Sequence, residues 1–141
     1  RILHAALRQV GRPRPRMVLC GLNPHAGEGG LLGREEQKVL VPAVRRARRC
    51  GLDLSGPLPA DAAWRLHAEG GCDGLICLYH DQAMIGLKTA AGLGVVNWTA
   101  GLPFVRVSPG HGTAFDVAGK GRADPAATIA AAHLAVRLSL S

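Results

Sequence analysis

Met17-Val18-Leu19-Cys20-Gly21-Leu22-Asn23-Pro24-His25-Ala26-Gly27-Glu28-Gly29-Gly30 joins an unbroken apolar run to a glycine-rich turn carrying one His and one Glu. An apolar run this short, without alternation, predicts a strand buried on both faces, as in a parallel sheet. A second run, Leu75-Ile76-Cys77-Leu78-Tyr79-His80-Asp81-Gln82, again delivers a His at or near the carboxyl end of a strand. Ligands of open α/β sheets bind along that edge. Both segments therefore read as parts of a site.

Working outward, residues 1–10 carry a helical pattern with no capping residue before Ile2, as for a chain entered partway through an element. Arg12-Pro13-Arg14-Pro15 breaks it. From Arg34 to Cys50 apolar residues recur at Val39, Leu40, Val44 and Ala47, which predicts a crossover helix closed by Gly51. Residues 52–59 read as a turn-rich link, 60–69 as a shorter helix starting near Asp61, and 73–79 as the second strand. A helical turn is expected at 81–88, strands at 95–98 and 104–107 separated by Gly101 and Pro103, and a glycine-rich loop at 109–121. Pro125 suits the first turn of a last helix, 125–138. Strand and helix alternate, so the fold class is α/β, a mainly parallel sheet flanked by helices.

At 141 residues the chain supports one core, burying about two-thirds of its unfolded surface. The net charge of +7 raises the question of nucleic acid. Its densest basic run, Arg45-Arg46-Ala47-Arg48-Arg49, falls at the end of a predicted helix, where cations favour the dipole and face solvent. With no aromatic interleaving, nucleic acid is not the expected partner. Cys20, Cys50, Cys72 and Cys77 show neither zinc spacing nor a CxxC motif, so reduced thiols are expected. There is no apolar segment of membrane-spanning length and no signal peptide, which makes a cytoplasmic protein without membrane contact the expectation.

The two histidine segments, with Gly101-Leu102-Pro103-Phe104-Val105-Arg106 and His111-Gly112-Thr113-Ala114-Phe115-Asp116-Val117-Ala118-Gly119, resemble the 4-hydroxythreonine-4-phosphate dehydrogenase family, which makes a precursor of pyridoxal phosphate. The likeness runs from about Pro15 to Arg137 and keeps the family's motif order. Members of that family are more than twice as long, and the chain resembles their carboxyl-terminal part. The resemblance implies an isocitrate/isopropylmalate dehydrogenase-like fold, truncated at the N-terminus. Residues 1–106 would be most of the metal, substrate and dimerisation domain, and 107–141 the cofactor loop and helix returning to a first domain.

Taken alone, His25 is either a loop histidine bonded to backbone or a metal ligand, and the carboxylate of Asp81 beside His80 suits an oriented imidazole. The resemblance implies that His25 and His80 bind one divalent metal (zinc, magnesium or cobalt) at a homodimer interface, with a third His upstream of Arg1. It matches Asp61 and Asp81 to acidic positions near that metal, with ligand-tuning or proton-shuttling roles; each also reads as a helix N-cap. Lys88, Asn97 and Arg106, which spacing does not select, match substrate-gripping positions. The loop of His111, Gly112, Thr113, Ala114, Asp116 and Gly119, with Asp124 beyond it, matches the adenosine-binding loop for NAD or NADP, though by itself it also reads as a surface loop. An anion at Asp116 repels a 2′-phosphate and leans toward NAD.

The implied activity is NAD(P)-dependent, divalent-metal-dependent oxidation of a small phosphorylated hydroxy acid. Its substrate would be 4-phosphooxy-L-threonine, oxidised to a 3-keto acid that decarboxylates to 3-amino-2-oxopropyl phosphate. Ala83-Met84-Ile85-Gly86 departs from the family's usual Gly-Leu-Ile-Pro type of wording. Alternative substrates are therefore 4-phospho-threonate or erythronate, or an aromatic cis-dihydrodiol; with the third ligand and part of the cofactor cleft absent, an inactive fragment that only dimerises is a separate alternative.

Overall fold

The computed structural model describes residues 1–140. Two compact units divide the chain, Arg1–Ala83 and Met84–Ser141. The first contains α1 (Ile2–Gln9), β1 (Met17–Cys20), α2 (Val41–Arg49), β2 (Leu54–Leu58), α3 (Ala60–Ala68), β3 (Gly74–Ile76) and the opening of α4 (His80–Ala91). The second contains the rest of α4, β4 (Val96–Trp98), β5 (Val107–Pro109) and α5 (Ala126–Ser139).

In the first unit β2, β1 and β3 form a parallel sheet in that order, with β1 central. All four residues of β1 are buried, which is why its apolar run is unbroken. Met17 and Leu19 face one side with Val44 and Leu54, among Leu3 and Leu7 of α1 and Ala47 of α2. Val18 and Cys20 face the other, with Ala63 of α3 and Cys72. Helices thus cover both faces of the sheet, as the α/β expectation requires.

β2 corrects the sequence reading of 52–59 as a turn-rich link. Gly56 and Pro57 mimic a turn, yet the segment pairs with β1 through Met17↔Leu54, Val18↔Ser55 and Cys20↔Leu58. That register places one extra residue on β2 between Ser55 and Leu58, and β2 lies at the sheet edge. Proline is tolerated at such edges and bulges because no ladder bond is lost.

The expected helix over 34–50 is also modified. Regular α-helix begins at Val41, and Glu36–Leu40 is wound more widely. Pro42 lacks the N–H that would close onto Lys38, which accounts for the loosened turn before it. α2 ends as expected: Gly51 takes φ 78°, and the Leu52 N–H reaches back to the Ala47 carbonyl at 3.2 Å.

In the second unit β4 and β5 pair antiparallel, Asn97↔Ser108 and Trp98↔Val107. α5 packs on this ribbon and buries Ala127, Ala131 and Leu138. The strand expected at 104–107 lies instead at 107–109. Residues 100–105 are taken up by the hairpin connection that Gly101 and Pro103 favour, and the Thr99 N–H closes it on the Arg106 carbonyl at 3.0 Å.

Candidate active site

Parallel strands put their carboxyl ends on one edge, and here each is followed by a residue singled out from the sequence. Asp61 lies in the first turn of α3 after β2, His25 in the turn after β1, and His80 opens α4 after β3. All three are exposed. Asp61 is not the N-cap the alternative reading allowed; Pro59 takes that place, because the helix starts one residue earlier than its acid.

His80 Nδ1 lies 3.0 Å from Asp81 Oδ1, with the two side chains 78% and 77% exposed. With Nδ1 engaged, Nε2 is the ring nitrogen left for a ligand, and the carboxylate fixes the orientation of the ring. His25 is presented differently. His25, Ala26, Gly27, Glu28 and Gly29 all take positive φ, between 44° and 79°, so the chain makes a left-handed turn. Each non-glycine residue in that region costs about 1–2 kcal/mol, so neighbouring contacts must hold it.

Those contacts come from the segment ahead of α2. Glu36, 3% exposed, accepts the N–H groups of Leu22 and Asn23 on Oε1 at 2.8 Å each. Its Oε2 accepts from Asn23 Nδ2 at 2.9 Å, while Glu35 Oε2 accepts from the same amide at 2.7 Å. Gln37 Nε2 donates to the Gly29 carbonyl at 2.7 Å. Burial alone would raise the Glu36 carboxyl; the backbone and side-chain N–H groups of Asn23 and the Leu22 N–H outweigh it and hold the group below the usual carboxylate range.

A second buried polar side chain, Gln82, binds the edge together. It is 7% exposed, donates from Nε2 to the Gly21 carbonyl at 2.6 Å and accepts the Leu78 N–H at 2.8 Å. Its main-chain carbonyl accepts from Trp64 Nε1 of α3 at 2.8 Å. The sequence reading missed Glu36 and Gln82 as site residues. Glu36 read as an acid in a helix, and only the position of Gln82 next to His80-Asp81 hinted at it.

The donor chemistry fits a divalent cation in part. Two exposed imidazoles are offered, one oriented by a carboxylate, but among the described residues no three His, Cys, Asp or Glu side chains come together as a metal group. Within the second unit, Arg106 Nη1 donates to Thr99 Oγ1 at 2.6 Å. Asn97 lies two residues before Thr99 on β4, so alternation puts Asn97 and Arg106 on one face of the ribbon. Lys88 is exposed on α4. His111, Gly112, Thr113, Ala114, Asp116 and Gly119 form an exposed loop, closed locally by a 2.8 Å contact of His111 Nδ1 with the Gly112 carbonyl. Asp124 Oδ1 accepts the Ala126 N–H at 2.8 Å, so it secures the start of α5.

Residues 1–135 match the family model described as pyridoxal phosphate biosynthetic protein PdxA. The chain belongs to the PdxA family. It is 53% identical over 131 residues to 4-hydroxythreonine-4-phosphate dehydrogenase of Bradyrhizobium diazoefficiens, covering 93% of this chain and 38% of that protein. The corresponding dehydrogenase of Methylorubrum populi is 54% identical over 140 residues, or 99% of this chain and 40% of that one. The crystal structure of the Klebsiella pneumoniae 4-hydroxythreonine-4-phosphate dehydrogenase superposes with TM-score 0.88 at 43% identity, covering 99% of this chain and 42% of its own. A terephthalate 1,2-cis-dihydrodiol dehydrogenase of Burkholderia xenovorans has TM-score 0.74 at 36% identity, covering 96% and 43%. The PdxA-family chain thus spans about two-fifths of these relatives. Among its described residues no helix is long and apolar enough to cross a membrane.

Proposed function

We propose that this chain is the metal- and substrate-binding part of an NAD(P)-dependent dehydrogenase that oxidises 4-phosphooxy-L-threonine to the 3-keto acid, which then decarboxylates to 3-amino-2-oxopropyl phosphate. The observation that carries the reading is the oriented His80, its Nδ1 on Asp81, beside the braced His25 turn on one strand edge. The names of the relatives supply the substrate. Bound NAD(P) supplies the oxidant in this reading, and a bound zinc, magnesium or cobalt ion the Lewis acidity.

His25 and His80 hold the cation in this reading, with further ligands from outside the described residues, in a homodimer whose interface carries the metal. Asp81 keeps His80 in the tautomer that offers Nε2, and Asp61 stands as an acid on the same edge. Arg106, positioned by Thr99, grips an anionic group of the substrate with Lys88 and Asn97. The loop from His111 to Gly119, Asp116 foremost, receives the adenosine half of the cofactor, and residues 107–141 return toward the domain that binds the rest. We place the enzyme in the cytoplasm, a reading supported by four free thiols.

A second substrate reading, an aromatic cis-dihydrodiol, draws support from the dihydrodiol dehydrogenase relative and from the divergent wording Ala83-Met84-Ile85-Gly86; 4-phospho-threonate and erythronate share the phosphate chemistry. The test uses the full chain, with any residues its gene encodes ahead of Arg1, assayed with divalent cation and NAD or NADP on each substrate. Cation-dependent NADH formation with 4-phosphooxy-L-threonine, abolished in His80→Ala, is expected. Turnover only of a dihydrodiol would move the assignment to the second reading, and none with any substrate would leave a module that only dimerises.

A further inference from the structure

The carboxyl ends of β1 and β3 lose their mutual support just where the site begins. The last ladder pair is Leu19↔Ile76, and the chains then run on to Gly21 and Leu78, four residues before His25 and two before His80. Beyond that pair the Gln82 side chain spans them: Nε2 donates to the Gly21 carbonyl at 2.6 Å and Oε1 accepts the Leu78 N–H at 2.8 Å. We propose that Gln82 is a positioning residue that sets the His25 turn relative to His80, acting through Gly21. This deepens the reading that the two histidines share one cation.

The neighbouring contacts make the amide hard to replace. Immediately after Gly21, the Leu22 and Asn23 N–H groups are fixed on Glu36, so a displacement at Gly21 passes into the left-handed turn instead of being absorbed. On the other side, Trp64 Nε1 of α3 donates to the main-chain carbonyl of residue 82, which fixes the backbone from which the side chain reaches and is kept in any substitution. A primary amide is the side chain that offers a donor to one strand end and an acceptor to the other. A Glu of the same size keeps the acceptor but sets a carboxylate oxygen against the Gly21 carbonyl, and a Met keeps the bulk with neither bond. An unmade bond at a site this buried is not recovered from water.

The experiment uses the full chain with any upstream residues its gene encodes, as wild type, Gln82→Glu, Gln82→Met and Val44→Ala. Val44 sits in the cluster on the opposite face of the sheet and serves as the stability comparator. Two quantities are read: Zn2+ and Co2+ binding by chelator competition, with the Co2+ absorption bands as a report of ligand geometry, and amide hydrogen exchange over residues 21–30 and 78–82 without metal. Gln82→Glu is expected to bind Zn2+ at least about tenfold more weakly, the scale for losing a residue that orients a ligand. Its Co2+ bands shift and its exchange over 21–30 accelerates, while Val44→Ala changes none of these even at an equal loss of unfolding midpoint. A folded Gln82→Glu or Gln82→Met with wild-type exchange over 21–30 and affinity within about twofold overturns the proposal. If Gln82→Glu does not fold, Gln82→Met decides by the same readouts. Failure of the wild type to bind metal would sink the shared-cation reading, and exchange over 21–30 would still decide whether Gln82 holds the turn.

Discussion

Gly27→Ala should destabilise the protein more than the same change two residues on, and the structure gives the size of the difference. Gly27 has φ 79°, and a Cβ there would stand 2.7 Å from Glu36 Oε2 and 3.0 Å from the Gly33 carbonyl. Glu36 cannot swing away, because Oε1 holds two backbone N–H groups and Oε2 an amide. Gly29 has φ 67° but nothing within 4 Å of its Cβ position. Both substitutions incur the left-handed cost of about 1–2 kcal/mol. Only Gly27→Ala adds overpacking, about 1–3 kcal/mol, for a total of about 2–5 kcal/mol against a typical domain stability of about 5–15 kcal/mol. Urea unfolding with unchanged slope measures both variants. Equal losses, within about 0.5 kcal/mol, would refute the claim that the Glu36 carboxylate packs against the turn.

The other expectations rest on separate parts of the first unit. Asp73 accepts the Arg16 N–H at 2.8 Å and faces the Arg16 and Arg12 guanidiniums. The backbone N–H first and then the Arg16 side chain hold its carboxyl below the ordinary Asp value of 3.8. A lowered folded-state value means its stabilisation is present above pH 3.8 and lost as pH falls through the folded value. Asp73→Asn should therefore flatten the acid limb of the stability–pH curve below about pH 4; an unchanged limb counts against the contact. Cys20, fully buried and 3.9 Å from Cys77 Sγ, has its thiol pushed up to about 12, first by burial and then by Cys77. At pH 8 a thiol reagent should label exposed Cys50 promptly and Cys20 only on unfolding, and native labelling of Cys20 seen by peptide mass spectrometry would contradict this. Thr99→Val removes the hydroxyl that holds Arg106 at 2.6 Å. In the proposed enzyme it should raise KM several-fold with kcat little changed, and an unaltered KM would mean Thr99 does not orient Arg106.

Much of this arrangement was legible in the residues themselves. Met17–Cys20 read as a strand because a chain buried on both sides of a sheet carries an unbroken apolar run, and that signal is local; of the strand expected over 73–79 only Gly74–Ile76 forms, with Leu75 and Ile76 half-buried. His25, His80 and Asp81 were legible for the same reason, each lying just past such a run. The quoted motifs also carried the family. β2 was not legible, since Leu54–Leu58 contains Gly56 and Pro57 and becomes a strand only because β1 offers its free edge. Glu36 and Gln82 were hidden because the burial of a polar side chain is decided by the N–H and C=O groups that distant segments bring to it. The turn that presents His25 had the same limit. Its glycines announced flexibility, but the left-handed path through His25, Ala26 and Glu28 is held by carboxylates from beyond the turn. Local composition thus set which residues lie at the strand edge; the orientation of each was decided by hydrogen bonds between segments far apart in the chain.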